Sequence, residues 1–297
     1  VGTRPVHCEL EAALAAWKGT EAAVLFPTGY SANIGVLAAL RGGGVTIFSD
    51  ALNHASIVDG CRLARAEVVV YPHGDMEELG SRLRRTSGRA VVVSETVFSM
   101  DGDAAPVERL MEICASGGAL LVLDEAHAVL GPRVAAAARP DLDLILVGTL
   151  SKALGSLGGF VAASRGWVDW LVNRSRPFIF TTAPPPAAAA AALAALRIVQ
   201  AEEGVRLRER LRANIGRVRP GHRSPIVALV LGSERRALDA AAALLRRGLL
   251  VPAIRPPTVP AGTSRLRIAL SAAHSDEQMA ALGGALDTLG LGFNASP

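Results

Sequence analysis

Lysine is almost absent from this 297-residue chain: of its 31 basic residues, all but Lys18 and Lys152 are arginine. Its cysteines, Cys8, Cys61 and Cys114, lie far apart without C-x-x-C spacing, which argues against a disulfide framework or a zinc finger. Its histidines form no H-E-x-x-H motif, which argues against a zinc hydrolase. Aromatic residues are few and do not alternate with the basic segments. The net charge of +4 therefore fits solvated helix faces better than a nucleic-acid-binding surface.

Long, strongly apolar runs are absent as well. The nearest approach, APPPAAAAAALAALRIV at 183–199, is mostly alanine and follows a proline run, as is typical of a water-exposed helix. The first stretch, VGTRPVHCELEAALAAW, has neither the charged-then-apolar order nor the cleavage site of a secretory signal. Half of the residues are hydrophobic and a fifth are charged, as in globular proteins. We expect a cytoplasmic globular protein that associates with neither membranes nor nucleic acid.

Short apolar runs alternate with amphipathic segments over the first part of the chain. Seven runs have the length and composition of buried strands: 22–26, 45–48, 68–71, 90–97, 119–126, 143–148 and 158–164. Helical patterns lie between them at 30–40, 54–65, 75–85 and 107–116. This alternation predicts the α/β class with a mostly parallel central sheet. We assign it to a large domain over residues 1–183.

The pattern changes from residue 184. An alanine-rich linking helix is predicted first, then the arginine-rich EEGVRLRERLRANIGRVR, then short apolar runs and a final helix from Ser275. The proline-rich stretch at 255–265 is predicted to be an ordered loop. We interpret 184–297 as the linking helix and a smaller C-terminal α+β domain.

Polar side chains follow most of the predicted strands. The first predicted strand is followed by PTGYSAN, and the second is followed by SDALNHAS. The end of the fourth overlaps SETVFSMDGD, and the next two strands lead into DEAH and TLSKALG. In an open α/β sheet, ligands bind outside the carboxyl ends of the strands. These loops are therefore the predicted site.

Several familiar motifs fail in detail here. Ala153 stands where a phosphate-binding P-loop needs Ser or Thr for magnesium. The stretch GYSAN at 29–33 lacks the second glycine of a hydrolase nucleophile elbow. The letters DEAH match a helicase box, but no P-loop accompanies them. Imine chemistry on a carbonyl cofactor fits better, because it needs a primary amine, which arginine cannot supply.

Pyridoxal phosphate needs more than the amine of Lys152. It also needs a carboxylate at the pyridinium nitrogen, hydroxyls and helix N-terminal amides for the phosphate, and a flat group against the ring. Six residues are candidates by type and position: Asp124, Thr149, Ser151, Gly29, Tyr30 and His54. We predict pyridoxal 5′-phosphate as the cofactor and no metal ion.

Six segments together resemble the α-oxoamine synthase family of fold type I pyridoxal-phosphate enzymes: SDALNHASIVDGCRLA, SETVFSMDGDAAPV, LVLDEAHAVLG, VGTLSKALGSLGGF, RPFIFTTAPPP and AIRPPTVPAGTSRLRIALSAAH. Matching segments run in order from residue 2 to about residue 290. The resemblance implies the fold type I architecture, a decarboxylative condensation of an amino acid with an acyl thioester, and a homodimer with a shared active site. Residues 133–143 and 217–225 look short for the family.

The matching motifs imply a role for each residue near the cofactor ring. Lys152 would form the imine with the cofactor and later act as acid and base at the substrate α-carbon. Asp124 would pair with the pyridine nitrogen, and His127 and Ser99 would hydrogen-bond the ring hydroxyl. His54 would stack on the ring face beside the substrate. Lys152, His54 and Asp124 are thus the expected catalytic residues.

The resemblance also implies contacts to the phosphate and the substrates. Gly29 and Tyr30 would pack against the cofactor at a helix N-terminus, and Thr149 and Ser151 would lie near its phosphate. Arg267 would take the amino-acid carboxylate, and Thr258 would lie by the acyl substrate. Glu95 resembles the family's acidic residue near the cofactor.

Within the family, the segment AIRPPTVPAGTSRLR favours a member that joins L-alanine to a pimeloyl thioester, carried as pimeloyl-CoA or on an acyl carrier protein. The alternatives are a glycine C-acetyltransferase or another α-oxoamine synthase. A non-catalytic binding subunit with the same fold is an alternative from a different class. Such a subunit would tend to lose Lys152, Asp124 or His54, and all three are present.

Overall fold

The computed structural model describes residues 2–42, 44–128 and 141–292. The chain divides into two compact units. Unit 1 comprises Val1–Phe98 and Ala104–Ile198, and unit 2 comprises Ser99–Asp103 and Val199–Pro297. Within the described ranges, no helix has the combined length and apolar character needed to cross a membrane.

In the described part of unit 1, seven strands form one sheet. They are β1 (Ala22–Phe26), β2 (Val45–Asp50), β3 (Glu67–Tyr71), β4 (Arg89–Glu95), β5 (Leu120–Asp124), β6 (Leu144–Thr149) and β7 (Gly159–Ala163). Their order is β1-β7-β6-β5-β4-β2-β3. β7 runs antiparallel to β1 and β6, and the other neighbouring pairs are parallel. The predicted mostly parallel sheet is confirmed.

Burial explains why these strands lack an alternating pattern. β1, β2, β5, β6 and β7 are buried along their whole length, because helices cover both faces of a parallel sheet. Phe26, Ile47, Val122 and Val147 are among the core side chains. Each large side chain of this kind contributes about 1.5–3 kcal/mol through burial.

Helices connect and flank the strands of unit 1. They are α1 (Pro5–Lys18), α2 (Gly29–Ala39), α3 (Ala55–Ala64), α4 (Met76–Arg84), α5 (Val107–Gly117), α6 (Arg165–Arg174), α7 (Arg176–Ile179) and α8 (Pro186–Gln200). α2 begins with a capping box, in which Thr28 Oγ1 accepts from Ser31 N at 3.0 Å and Ser31 Oγ accepts from Thr28 N at 3.0 Å. At α3, His54 Nδ1 accepts from Ser56 N at 3.1 Å. Thr28 and His54 lie in the loops that follow β1 and β2, and these caps fix where the two helices start.

Unit 2 has the predicted α+β composition. Its described elements are α9 (Glu202–Val218), β8 (Ile226–Gly232), α10 (Glu234–Leu245), β9 (Ala253–Ile254), β10 (Ser264–Ala269) and α11 (Asp276–Thr288). The strands form an antiparallel sheet in the order β8-β10-β9. The short segment Ser99–Asp103 is bound to β10, because Asp101 pairs with the buried Arg265 and Ser99 O accepts from Arg267 Nε at 2.5 Å.

Candidate active site

The predicted site residues of unit 1 lie at the carboxyl edge of its sheet. Glu95 ends β4, and the register pairs it with Asp124 at the end of the adjacent strand β5. Thr149 ends β6, the next strand along. Lys152 lies three residues beyond Thr149. An amine, two carboxyl groups and a hydroxyl group therefore lie at the same edge of the sheet.

Lys152 contacts an imidazole that comes from the neighbouring loop. Its Nζ lies 2.9 Å from Nε2 of His127, which follows Asp124 by three residues. An ammonium can only donate, whereas a neutral imidazole nitrogen can donate or accept according to its tautomer. The contact therefore places the amine within proton-transfer distance of a second titratable group.

The carboxylate of Asp124 is buried and held from two sides. Its Oδ2 accepts from Asn33 Nδ2 at 2.6 Å, and its Oδ1 accepts from Ala126 N at 2.8 Å. One donor comes from α2 and the other from the turn after β5. These bonds fix the orientation of the carboxylate, which is what pairing with a ring nitrogen requires.

His54 presents a neutral ring to this edge. Its Nδ1 lies 2.8 Å from Ser56 Oγ. Desolvation lowers the pKa of the imidazole, and the charge of Lys152 lowers it further, while the charge of Asp124 raises it. The lowered pKa favours the uncharged form of the imidazole, whose flat ring can stack on another ring.

The start of α2 lies next to the hydroxyl groups at the end of β6. Thr149 Oγ1 lies 2.8 Å from Ser151 Oγ and accepts from Ser151 N at 3.2 Å. Gly29, the first residue of α2, packs on Thr149: a Cβ on Gly29 would lie 3.2 Å from Thr149 Cβ. A Cβ on Gly159 would come within 2.5 Å of the backbone of Thr28. Glycine thus lets the N-terminus of α2, with the positive end of its helix dipole, lie beside these hydroxyls.

Glu95 is buried at 2% exposure, and its Oε1 has no hydrogen-bond partner in the described part of the chain. Burial raises its pKa from 4.5 to about 8, and the charge of Asp124 acts in the same direction. The carboxyl group is therefore mainly protonated at pH 7. A protonated carboxyl group can donate a hydrogen bond, which a carboxylate cannot do.

This raised pKa predicts a pH dependence of stability. Between pH 4.5 and about 8, folded Glu95 holds its proton while the unfolded chain releases it. The free energy of unfolding therefore falls as pH rises through this window, by up to about 1.4 kcal/mol per pH unit. Urea denaturation of the apoprotein at pH 5.5, 7 and 8.5 measures the slope. Glu95→Gln should flatten it, and an unchanged slope in that variant would contradict the assignment.

The remaining predicted residues are Tyr30, Ser99, Thr258 and Arg267, whose hydrogen bonds in the described part of the chain join groups other than Lys152, Asp124 and His54. Tyr30 is 46% exposed, and its hydroxyl donates to Asp59 Oδ2 at 2.7 Å. Ser99, Thr258 and Arg267 belong to unit 2, where Thr258 is exposed. The proposed contacts of these four residues with cofactor and substrates stay predictions. The last residues of the DEAHAVLG motif, 129–131, and most of the short stretch 133–143 lie outside the described residues.

Sequence reasoning missed the contacts of two residues of this region, buried Asn33 and partly buried Lys18. Asn33 lies on α2 and contacts Asp124, and Lys18 Nζ lies 2.7 Å from the carboxylate of Glu125. A signal for Asn33 existed, since it is an amide within the apolar stretch of α2. For Lys18 the signal was its rarity, because the chain keeps only one other lysine.

The donor set fits pyridoxal phosphate. One sheet edge supplies a primary amine, an oriented carboxylate, two imidazoles and a helix N-terminus flanked by hydroxyls. These groups match the aldehyde, the pyridine nitrogen, the ring and the phosphate of that cofactor. A Cβ at Gly29 or Gly159 would press on Thr149 or on the backbone of Thr28, so glycine at both positions keeps the N-terminus of α2 next to the hydroxyls.

Comparisons with known proteins also indicate a pyridoxal-phosphate enzyme. The family model for class I and II aminotransferases matches residues 1–286. The chain therefore belongs to the class I and II aminotransferases, and within them to the α-oxoamine synthases that its motifs resemble. The predicted fold type I architecture and pyridoxal-phosphate dependence are confirmed.

The named relatives point to a particular member. The 8-amino-7-oxononanoate synthase of Anaeromyxobacter dehalogenans strain 2CP-C is 52% identical over 293 residues, which cover 94% of this chain and 74% of that protein. A solved structure of SPT (serine palmitoyltransferase) with its PLP internal aldimine has a TM-score of 0.92 at 35% identity, covering 97% of this chain and 77% of that one. The 8-amino-7-oxononanoate synthase structure from Francisella tularensis has a TM-score of 0.80 at 25% identity, covering 97% and 88%.

Proposed function

We propose that this protein is a pyridoxal-phosphate-dependent acyltransferase of biotin biosynthesis. It condenses L-alanine with a pimeloyl thioester and releases 8-amino-7-oxononanoate, carbon dioxide and the free thiol. The observation that carries this proposal is the 52% identity to an 8-amino-7-oxononanoate synthase over 94% of the chain. The position of Lys152, Asp124 and His54 at one sheet edge supports the chemistry.

Each residue of the edge has a task in this reaction. Lys152 binds the cofactor through its amine and accepts the α-proton of the amino acid. His127, 2.9 Å from that amine, orients it and hydrogen-bonds the ring hydroxyl. Asp124 would hold a proton on the pyridine nitrogen, and His54 would lie against one face of the ring. When bound, pyridoxal phosphate supplies an electron-withdrawing pyridinium ring that makes the α-proton acidic.

The α-carbon, once deprotonated, attacks the thioester carbonyl and the thiol leaves. The carboxyl group of the amino acid then leaves as carbon dioxide, and the α-carbon takes a proton from Lys152. One carbon–carbon bond thus forms and one breaks. Thr149, Ser151 and the N-terminus of α2 hold the phosphate and thereby keep the cofactor in place. We further propose that the protein works as a homodimer in the cytoplasm.

A second candidate is serine palmitoyltransferase activity. It is favoured by the TM-score of 0.92 to SPT. The two reactions share the amine, the carboxylate and the stacking imidazole, and they differ in amino acid and acyl chain. The fold therefore does not discriminate between them, whereas sequence identity favours the alanine reaction.

Thiol release from acyl-CoA tests the substrate assignment. L-alanine, glycine and L-serine are each combined with acetyl-, pimeloyl- and palmitoyl-CoA, and mixtures without amino acid correct for hydrolysis. We expect kcat/KM for L-alanine with pimeloyl-CoA to exceed every other pair by about tenfold or more. Faster turnover of L-serine with palmitoyl-CoA, or of glycine with acetyl-CoA, would assign the protein to that other reaction.

A further inference from the structure

Asn33 is a buried polar residue to which the resemblance gives no role. It lies one turn into α2, is 2% exposed, and donates from Nδ2 to Asp124 Oδ2 at 2.6 Å and to Ser56 Oγ at 2.9 Å. An amide nitrogen carries two hydrogens, so both bonds can form at once. Asn33 therefore joins the Asp124 carboxylate to the N-terminus of α3.

The chemistry of Asp124 sets the direction of these bonds. An ionised carboxylate only accepts, so the group of Asn33 that faces it must be the NH2. In the opposite orientation, two oxygens would meet at 2.6 Å. Ser56 Oγ then accepts from Asn33, which leaves the serine hydrogen for Nδ1 of His54, 2.8 Å away. Ser56 N also donates to this Nδ1 at 3.1 Å.

His54 Nδ1 is therefore an acceptor, and the single proton of the neutral ring sits on Nε2. Asn33 is the donor on both sides. It donates to Asp124 and to Ser56, and Ser56 in turn donates to His54. Both ends are side chains expected to contact the cofactor ring. A single buried amide thus takes part in fixing both groups: with Ala126 N it orients the carboxylate of Asp124, and with Ser56 N it favours the Nε2–H tautomer of His54.

We propose that Asn33 is a positioning residue for the reaction, fixing the Asp124 carboxylate and, through Ser56, the Nε2–H form of His54. This rests on the proposed function, which assigns those two side chains to the ring nitrogen and the ring face. Asn33 itself need not touch the cofactor or the substrates. Its contribution is that neither group has to reorient when the ring binds.

Two substitutions in the holoenzyme test the proposal. Asn33→Leu removes the donor at similar volume, and we expect kcat for L-alanine to fall about 10- to 100-fold while the cofactor stays bound at saturating concentration. Asn33→Asp brings a second carboxyl group against Asp124, and such a pair shares a proton at low pH and repels at high pH. Its kcat should therefore approach that of the wild type near pH 5.5 and decline steeply towards pH 9.

Asn214→Asp is the matched control. Asn214 is also buried and donates from Nδ2 to two carbonyls, Ser271 O at 3.0 Å and His274 O at 3.3 Å, but it lies in unit 2. That variant should lower stability and leave the pH profile of kcat parallel to the wild type. If Asn33→Asp shows the same parallel profile, or Asn33→Leu keeps kcat within about twofold of the wild type, the positioning role is wrong. If Asn33→Leu does not fold, the Asn33→Asp profile decides.

A readout without turnover comes from nitrogen NMR of histidine-labelled apoprotein at pH 8. His54, assigned by its loss in His54→Gln, should show a protonated Nε2 and an unprotonated Nδ1. A protonated Nδ1 would overturn the proposal. A wild-type protein that binds no pyridoxal phosphate or does not turn over would instead contradict the proposed function. The NMR experiment does not need the cofactor, so it would still test the tautomer of His54.

Discussion

Lys152→Arg is expected to give a colourless protein whose turnover is at least about a thousandfold lower than that of the wild type. Arginine keeps the positive charge but has no amine that can attach the cofactor or accept a proton near pH 7. The contact with His127 at 2.9 Å shows that a cation at this position has a hydrogen-bond partner. The loss would therefore reflect the missing amine chemistry, because the charge is preserved.

Borohydride reduction followed by peptide mass analysis measures the attachment directly. The chain has one other lysine, Lys18, whose side chain is 9% exposed and paired with Glu125, so it serves as an internal control. We expect the reduced cofactor on Lys152 alone. Label on Lys18, or a yellow and active Lys152→Arg protein, would refute the assignment of the amine.

Lys18→Met is expected to lower the free energy of unfolding by about 3–5 kcal/mol. The ammonium of Lys18 lies 2.7 Å from Glu125 Oε2, and the two side chains are 9% and 2% exposed. Lys18 Nζ also lies 4.1 Å from the centre of the Trp17 ring. The variant removes the positive charge beside the Glu125 carboxylate, which is 2% exposed and lies one residue from Asp124.

Urea denaturation at pH 7 compares this variant with a surface control. Arg206→Met breaks the exposed Arg206–Glu202 pair, whose groups are 2.8 Å apart at 63% and 86% exposure, and should change stability by less than about 0.5 kcal/mol. The double variant Lys18→Met with Glu125→Gln should recover part of the loss, because it removes the buried charge. Equal effects of Lys18→Met and the surface control would show that the buried pair contributes nothing special.

The sequence allowed the strands, and the placement of several candidate residues at one edge of the sheet, to be predicted because both depend on local patterns. Buried parallel strands are continuous apolar runs, and their carboxyl ends are followed by the polar loops that carry Asp124, His127 and Lys152. Motif order along the chain then identified the family. Even Ser275, expected at the start of the last helix, caps it through Gln278 N at 3.2 Å.

What could not be predicted depends on contacts between distant parts of the chain. Asn33 and Asp124 are 91 positions apart, and no local pattern links an amide on one helix to a carboxylate on a central strand. The Lys18–Glu125 pair joins α1 to the turn after β5 in the same way. The antiparallel direction of β7 also has no local signal, because a buried strand shows the same apolar run in either direction.

The segment Ser99–Asp103 has a consequence for how this protein could be divided or rebuilt. It leaves unit 1 after Phe98, supplies the carboxylate that neutralises buried Arg265 and the carbonyl that receives Arg267 Nε, and returns at Ala104. A fragment starting at Val199 would carry two guanidinium groups without these partners. Residues from Val199 onward therefore do not make up the whole of unit 2. Splitting the gene or exchanging domains at Ile198 would separate Arg265 of β10 from the Asp101 carboxylate with which it pairs.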